Sequence, residues 1–177
     1  MAQDEKHDGI RGVADRAKDA VGGVVGMAAA ATGGSTDSES FVTNAVIGDI
    51  YELEAGRLAL RRGVSEPVRR LAEALIDDHT TSAHQLTSTF RGMESAPQPP
   101  LELDERRADM IDHLRKAPDD AFDARFLEQQ YLAHEENVRL FRGFAESGDD
   151  PRLRLFAAAS LPTLERHLDL VRGLRSH

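Results

Sequence analysis

The chain contains no cysteine. Disulfides, thiolate metal sites and cysteine nucleophiles are therefore excluded, and the redox compartment stays open. Lysine is nearly absent too, occurring only at Lys6, Lys18 and Lys116. The many arginines read as the composition bias of a GC-rich genome rather than as an arginine-based site. Aromatic residues make up 5% of the chain, and β-branched residues are few, which disfavours sheets. No apolar run approaches the roughly 20 residues of a transmembrane helix. A glycine-rich phosphate loop, a Ser-His-Asp ordering and a basic aromatic patch are all missing. Positive charge is in deficit: the formal net charge is -9, a surface that repels phosphate backbones, so no nucleic-acid partner is expected.

What remains is rich in Ala, Leu, Arg, Glu and Asp, a helix-forming mixture in a chain of 177 residues, enough for one domain and its core. A first long helix is expected from Ser38 through Arg62, stopped by Gly63. Ser65-Glu66-Pro67 opens a second, with Ser65 as N-cap and an early proline, running to about Arg91 before Gly92. Pro97, Pro99 and Pro100 mark an extended connection. A short helix from Asp104 to Lys116 follows, with Met110, Ile111 and Leu114 as its docking face. Pro118-Asp119-Asp120 opens a third long helix ending near Ser147, and Asp149-Asp150-Pro151 opens a fourth reaching about Arg175. Pro162 lies inside the last and is expected to kink it or free a carbonyl. Two helical hairpins joined by one long crossover are the connectivity of a ferritin-like four-helix bundle, all-α, over residues 38–177.

Residues 1–37 form an N-terminal arm, expected to be flexible or weakly helical. Ile10, Val13, Ala17, Val21 and Val24 recur at helical spacing, but Gly9, Gly12, Gly22, Gly23 and Gly26 weaken the pattern. Two readings stay open: an arm ordered only by a partner, or a segment for membrane-surface binding or self-association. A homo-oligomer is compatible with either. Ala20 to Ala31 hints at a secretory segment, but the acidic residues before it make a poor export signal. A cytoplasmic location is expected, with the periplasm or envelope as the alternative.

On helical wheels each long helix carries one metal-competent residue within its apolar stripe. In the first, Ile47, Ile50, Tyr51 and Leu58 flank Glu54, with Glu52 read as pointing to the opposite side. In the second, Val68, Ala72, Leu75, Ile76, Leu86 and Phe90 flank His79, while His84 faces away. In the third, Leu127, Tyr131, Val138 and Phe141 flank His134, with Glu135 and Glu136 off the axis. In the fourth, Leu153, Phe156, Leu164 and Val171 flank His167. Buried carboxylates and imidazoles need partners. A divalent cation held by Glu54, His79, His134 and His167 would supply them, and such a donor set suits Zn, Fe, Mn, Ni or Cu. The alternative is a hydrogen-bonded polar core in a non-enzymatic interaction module.

A di-iron centre is not expected. It needs Glu-x-x-His on two helices, and Ile76 and Leu164 stand three residues before His79 and His167. The carboxylate shortage also argues against an oxygen- or peroxide-reactive enzyme, so a mononuclear site is the expectation and enzymatic activity is left open. Tyr51 and Tyr131 are expected to pack rather than to support the ligands. Asp78 is a candidate for orienting a neighbour, and Asp77 for a solvated edge. His7, His113 and His177 are expected at the surface.

The segments ELEAGRLAL around Glu54, LIDDHT around His79, AHEENVRLF around His134 and LPTLERHL around His167 together resemble the ferritin-like domain-of-unknown-function family DUF 4142. The resemblance covers Phe41 to Leu174. It implies a ferritin-like bundle and makes Glu54, His79, His134 and His167 family-type positions. It supplies no activity. A metal-handling or stress-related bacterial role is the expectation. Members of that family often carry export signals, from which this N-terminus departs.

Overall fold

The computed structural model describes residues 36–62, 65–93 and 96–176. The arm over residues 1–37 therefore lies almost wholly outside the described residues, as do Gly63, His7 and His177. Five helices follow: α1 Ser38–Arg61, α2 Glu66–Arg91, α3 Glu105–Arg115, α4 Asp119–Ser147 and α5 Pro151–Arg175. No strand occurs among the described residues.

The helix starts follow from local chemistry. Asp37, Asp104 and Asp150 each sit in extended backbone and accept hydrogen bonds from first-turn amides, satisfying donors that have no helical partner. Ser65 differs from its expected role. It occupies the cap position of α2, but its side chain makes no capping bond, and its backbone N–H donates to Asp123 on α4 at 3.1 Å. Pro162 does not end α5, which continues to Arg175. Lacking an N–H, Pro162 leaves the Ala158 carbonyl without its helical donor, and both residues lie at the exposed face.

α1 and α2 pair as one hairpin and α4 and α5 as the other, with α1 also against α4 and α2 against α5. Four long helices thus form a bundle, and the long connection between its two hairpins carries α3, which packs against α1 and α4. Bundles of the ferritin-like type share this kind of long crossover. α3 buries Met110, Ile111 and Leu114, as its pattern requires. It is clamped to α4 by charge: Arg107 donates to Glu136 at 2.7 Å and Arg106 donates to the same carboxylate at 2.8 Å. Arg62, just past α1, donates to the Ala117 carbonyl and the Asp119 carboxylate, both at 2.6 Å, and so fixes the turn between α3 and α4.

Gly56 permits the close approach of α1 and α2. A Cβ there would come within 2.9 Å of Ile76 Cγ1 and 3.3 Å of the Ala72 carbonyl oxygen.

The core is in two parts. One apolar cluster joins Tyr51, Ala55 and Leu58 to Leu71, Leu75, Ile111, Phe122 and Phe126. The other joins Phe41 and Val42 to Leu86, Phe90, Phe141, Phe144, Leu153 and Phe156, with Phe41 stacked on Phe144 at a centroid distance of 4.0 Å. Between them lies a buried polar layer: Asp49, Glu52, His79, Gln130, His134 and His167.

Candidate metal centre

The polar layer contains one histidine from each of α2, α4 and α5. Their rings form a near-equilateral triangle, with centroid separations of 5.8 Å for His79–His134, 5.7 Å for His79–His167 and 5.3 Å for His134–His167. All three are buried, and one nitrogen of each ring lies within 4.8 Å of the corresponding nitrogens of the others.

The outward nitrogens are each held by an acceptor. His134 Nδ1 donates to the Gln130 carbonyl at 2.9 Å. His167 Nε2 donates to Asp78 Oδ2 at 2.9 Å, and Arg166 braces that carboxylate at 2.7 Å. His79 Nδ1 donates to Asp49 Oδ1 at 2.7 Å. A carbonyl or carboxylate oxygen only accepts, so each outward nitrogen must carry the hydrogen. In the neutral rings the inward nitrogens, His79 Nε2, His134 Nε2 and His167 Nδ1, then present lone pairs to one another. His134 Nε2 and His167 Nδ1 stand 3.3 Å apart, and His79 Nε2 has no hydrogen-bond partner.

The electrostatics keep two of the rings neutral. Burial pushes His134 well below the usual imidazole value, and the neighbouring His79 and His167 add to the effect. Burial likewise lowers His167 to about 4, against the opposing pull of Asp78. His79 differs. Burial alone would lower it, but the hydrogen bond to Asp49 and the fields of Glu52 and Asp49 outweigh that and raise it. Asp49 is raised by burial against the opposing pull of His79.

Glu54 does not join the histidines, which corrects the expectation drawn from the wheel. Its side chain is 40% exposed and lies 3.5 Å from Arg115 on α3. Glu52, expected to face away, is fully buried, with Oε1 3.7 Å from His134 Nδ1. The physical reason lies in residue size. The inward face of α1 runs through Phe41, Ala45, Gly48, Glu52, Ala55 and Ala59, alternating steps of four and three. Weighting the wheel by the larger Ile47, Ile50, Tyr51 and Leu58 turned its axis away from that seam, where small residues let the helices approach.

Glu52 is fully buried. Neither carboxylate oxygen has a hydrogen-bond partner, and the Gln130 amide lies against it without reaching hydrogen-bond geometry. Burial raises its pKa to about 7, opposed by the charge of His79 and by Gln130. An ionised Glu52 would help to offset the charge of a cation in the layer.

Asp78 orients His167, as described. Of the tyrosines, Tyr51 donates to Gln129 at 3.0 Å and Tyr131 to Glu135 at 2.5 Å. Glu136, placed off the axis by the wheel, is buried because Arg106 and Arg107 neutralise it. His84 is exposed and His113 half-buried. The wheel missed Asp49 and Gln130. Asp49 could have been found as the i−3 neighbour of Glu52 on the small-residue face.

Three imidazoles, each with its far N–H held by a carboxylate or carbonyl, fit a transition-metal ion. Metal-bound histidines ordinarily have that arrangement, which fixes both tautomer and ring orientation. Metal–nitrogen bonds of about 2.0–2.1 Å in tetrahedral geometry set ligand nitrogens about 3.3–3.4 Å apart. The His134–His167 pair already has that spacing.

A family model described as "Domain of unknown function (DUF4142)" matches residues 24–174. No curated protein matches the chain. Among solved structures, the chain resembles "CopM in the Cu(II)-bound form", with a TM-score of 0.67 at 14% identity, covering 79% of this chain and 96% of that one. It also resembles a DUF305 fragment from Deinococcus radiodurans, with a TM-score of 0.66 at 16% identity, covering 77% and 93%. Both likenesses speak to the helical-bundle fold.

Proposed function

This chain belongs to the DUF4142 family, and from that premise we propose that it is a metal-handling bundle that holds one divalent transition-metal ion through His79, His134 and His167. The observation carrying this reading is the convergence of three inward nitrogens whose opposite sides are all committed to acceptors. The neutral His134 and His167 rings so held turn lone pairs toward each other, and a cation that also takes the His79 nitrogen in place of its proton turns that repulsion into three bonds. Glu52 supplies a negative charge beside the site, in the place the wheel gave to Glu54. Asp49, Asp78 and the Gln130 carbonyl fix the rings.

Imidazole donors suit Zn, Cu, Fe and Ni, and intrinsic affinity among divalent first-row ions peaks at copper. The Cu(II)-bound form of CopM shares this fold and makes Cu(II) and Zn(II) the first ions to test. The test is stoichiometry. Metal-stripped protein is loaded with Cu(II) or Zn(II), passed over a desalting column and analysed for metal. About one ion per chain is expected, and none in His79→Ala or His134→Ala. A wild-type chain that retains no metal would favour the alternative, a hydrogen-bonded polar core in an interaction module.

A further inference from the structure

A cavity of about 270 Å³ opens beside the polar layer, where α1, α2, α4 and α5 meet. Its inner wall includes His79, Asp49 and Asp78, so it reaches the residues that hold two of the three histidines. We infer that this cavity is the loading vestibule of the metal centre: it admits a hydrated divalent cation and passes it to the histidine triad. The inference rests on the metal-binding reading above.

Three observations carry it. The first is the chemistry of the wall. Besides the two carboxylates, its polar groups are the hydroxyls of Thr81, Ser82, Ser160 and Thr163 and the amides of Gln85 and Asn137, and no lysine or arginine lines it. Such a wall attracts cations and turns anions away. The second is Asp49. It is 5% exposed and its Oδ1 holds His79, while its Oδ2 makes no hydrogen bond of good geometry, although the Ser82 hydroxyl on the same wall interacts with the carboxylate. A buried carboxylate oxygen so incompletely satisfied is costly, and an arriving cation or its water would satisfy it. The third is size. At roughly 30 Å³ per water, the volume holds about nine waters, enough for an ion that still carries six. The cation would shed those waters against the wall oxygens before meeting imidazole nitrogen.

The experiment measures rate against affinity. Ala159 and Gln85 both line the cavity and are exposed, so a phenylalanine at either position obstructs the opening without entering the core. Co(II) serves as probe, since its visible absorption changes when nitrogen ligands replace water. Stopped-flow mixing of metal-free protein with Co(II) is expected to show association at least 10-fold slower in Ala159→Phe and Gln85→Phe than in wild type. Dissociation into excess chelator is expected to slow by a similar factor, leaving the dissociation constant within about 3-fold. Circular dichroism establishes that each variant is folded, and two independent positions guard against one failing to fold. Wild-type association rates in both folded variants would overturn the vestibule while leaving the metal centre intact. A wild-type chain that binds no Co(II), Zn(II) or Cu(II) would overturn both.

Discussion

His134 Nε2 and His167 Nδ1 face each other at 3.3 Å, although the opposite nitrogen of each ring is already a committed donor. With both rings neutral, no hydrogen lies between them. The proposed cation resolves that conflict, and the first expectation concerns its removal. EDTA should lower the thermal midpoint of metal-loaded wild type by several degrees and barely move that of His134→Ala. A ligand at 100 times its dissociation constant stabilises the native state by about 2.7 kcal/mol. Equal and negligible EDTA effects on both proteins would count against the metal.

Glu52 and Glu54, two residues apart on α1, should behave in opposite ways. Glu54→Ala removes an exposed pairing with Arg115, so stability should change by no more than about 0.5 kcal/mol and metal affinity not at all. Glu52→Gln removes a buried charge with no hydrogen-bond partner. It should stabilise the metal-free protein above pH 7 by about 1–3 kcal/mol while weakening metal binding. Chemical denaturation with and without Zn(II) checks both. Weaker metal binding in Glu54→Ala would return that residue to the site.

The pH dependence of the metal-free protein separates Glu52 from the histidines. Glu52 is raised from 4.5 to about 7. Between those values the folded chain holds a proton the unfolded chain has lost, so this contribution to stability falls as pH rises. His167 is lowered from 6.5 to about 4. Between those values the unfolded chain holds the extra proton, so this contribution is lost as pH falls. The two slopes oppose each other from about pH 4.5 to 6.5. Glu52→Gln should unmask the histidine slope, making stability climb with pH more steeply by up to about 1.4 kcal/mol per unit. Parallel stability curves for variant and wild type would show that Glu52 does not titrate there.

The clamp on the crossover should be strong on one side only. Arg107 and Glu136 are both buried, whereas Arg106 is partly exposed. Glu136→Ala leaves Arg107 partly uncompensated in the core and should cost about 3–5 kcal/mol, measured as a shift in the urea midpoint. Arg106→Ala should cost about 1 kcal/mol or less.

Much of this architecture was legible in the residues. Pro118-Asp119-Asp120 and Asp149-Asp150-Pro151 announce the starts of α4 and α5 by their prolines and acidic first turns or caps. His79, His134 and His167 stand out because an imidazole on the axis of an apolar stripe has nowhere polar to go unless other elements supply partners. The face of α1 was not legible, because a wheel weighted by hydrophobic size does not register Ala45, Gly48, Ala55 and Ala59. Their value lies in how near they let another helix come, a property of the pair of helices. Asp49 escaped for the same reason, and the burial of Glu136 depends on arginines 29 and 30 residues away in sequence.

The polar layer leaves two greasy blocks, with Tyr131 packed against both. Such a protein has a built-in seam. With the layer only partly satisfied, either block can breathe without the other, and amide hydrogens at the two ends need not exchange in concert. An ion gripped from three helices at that seam would act as a rivet, joining two small folding units into one. In that sense the histidines would set cooperativity as much as affinity.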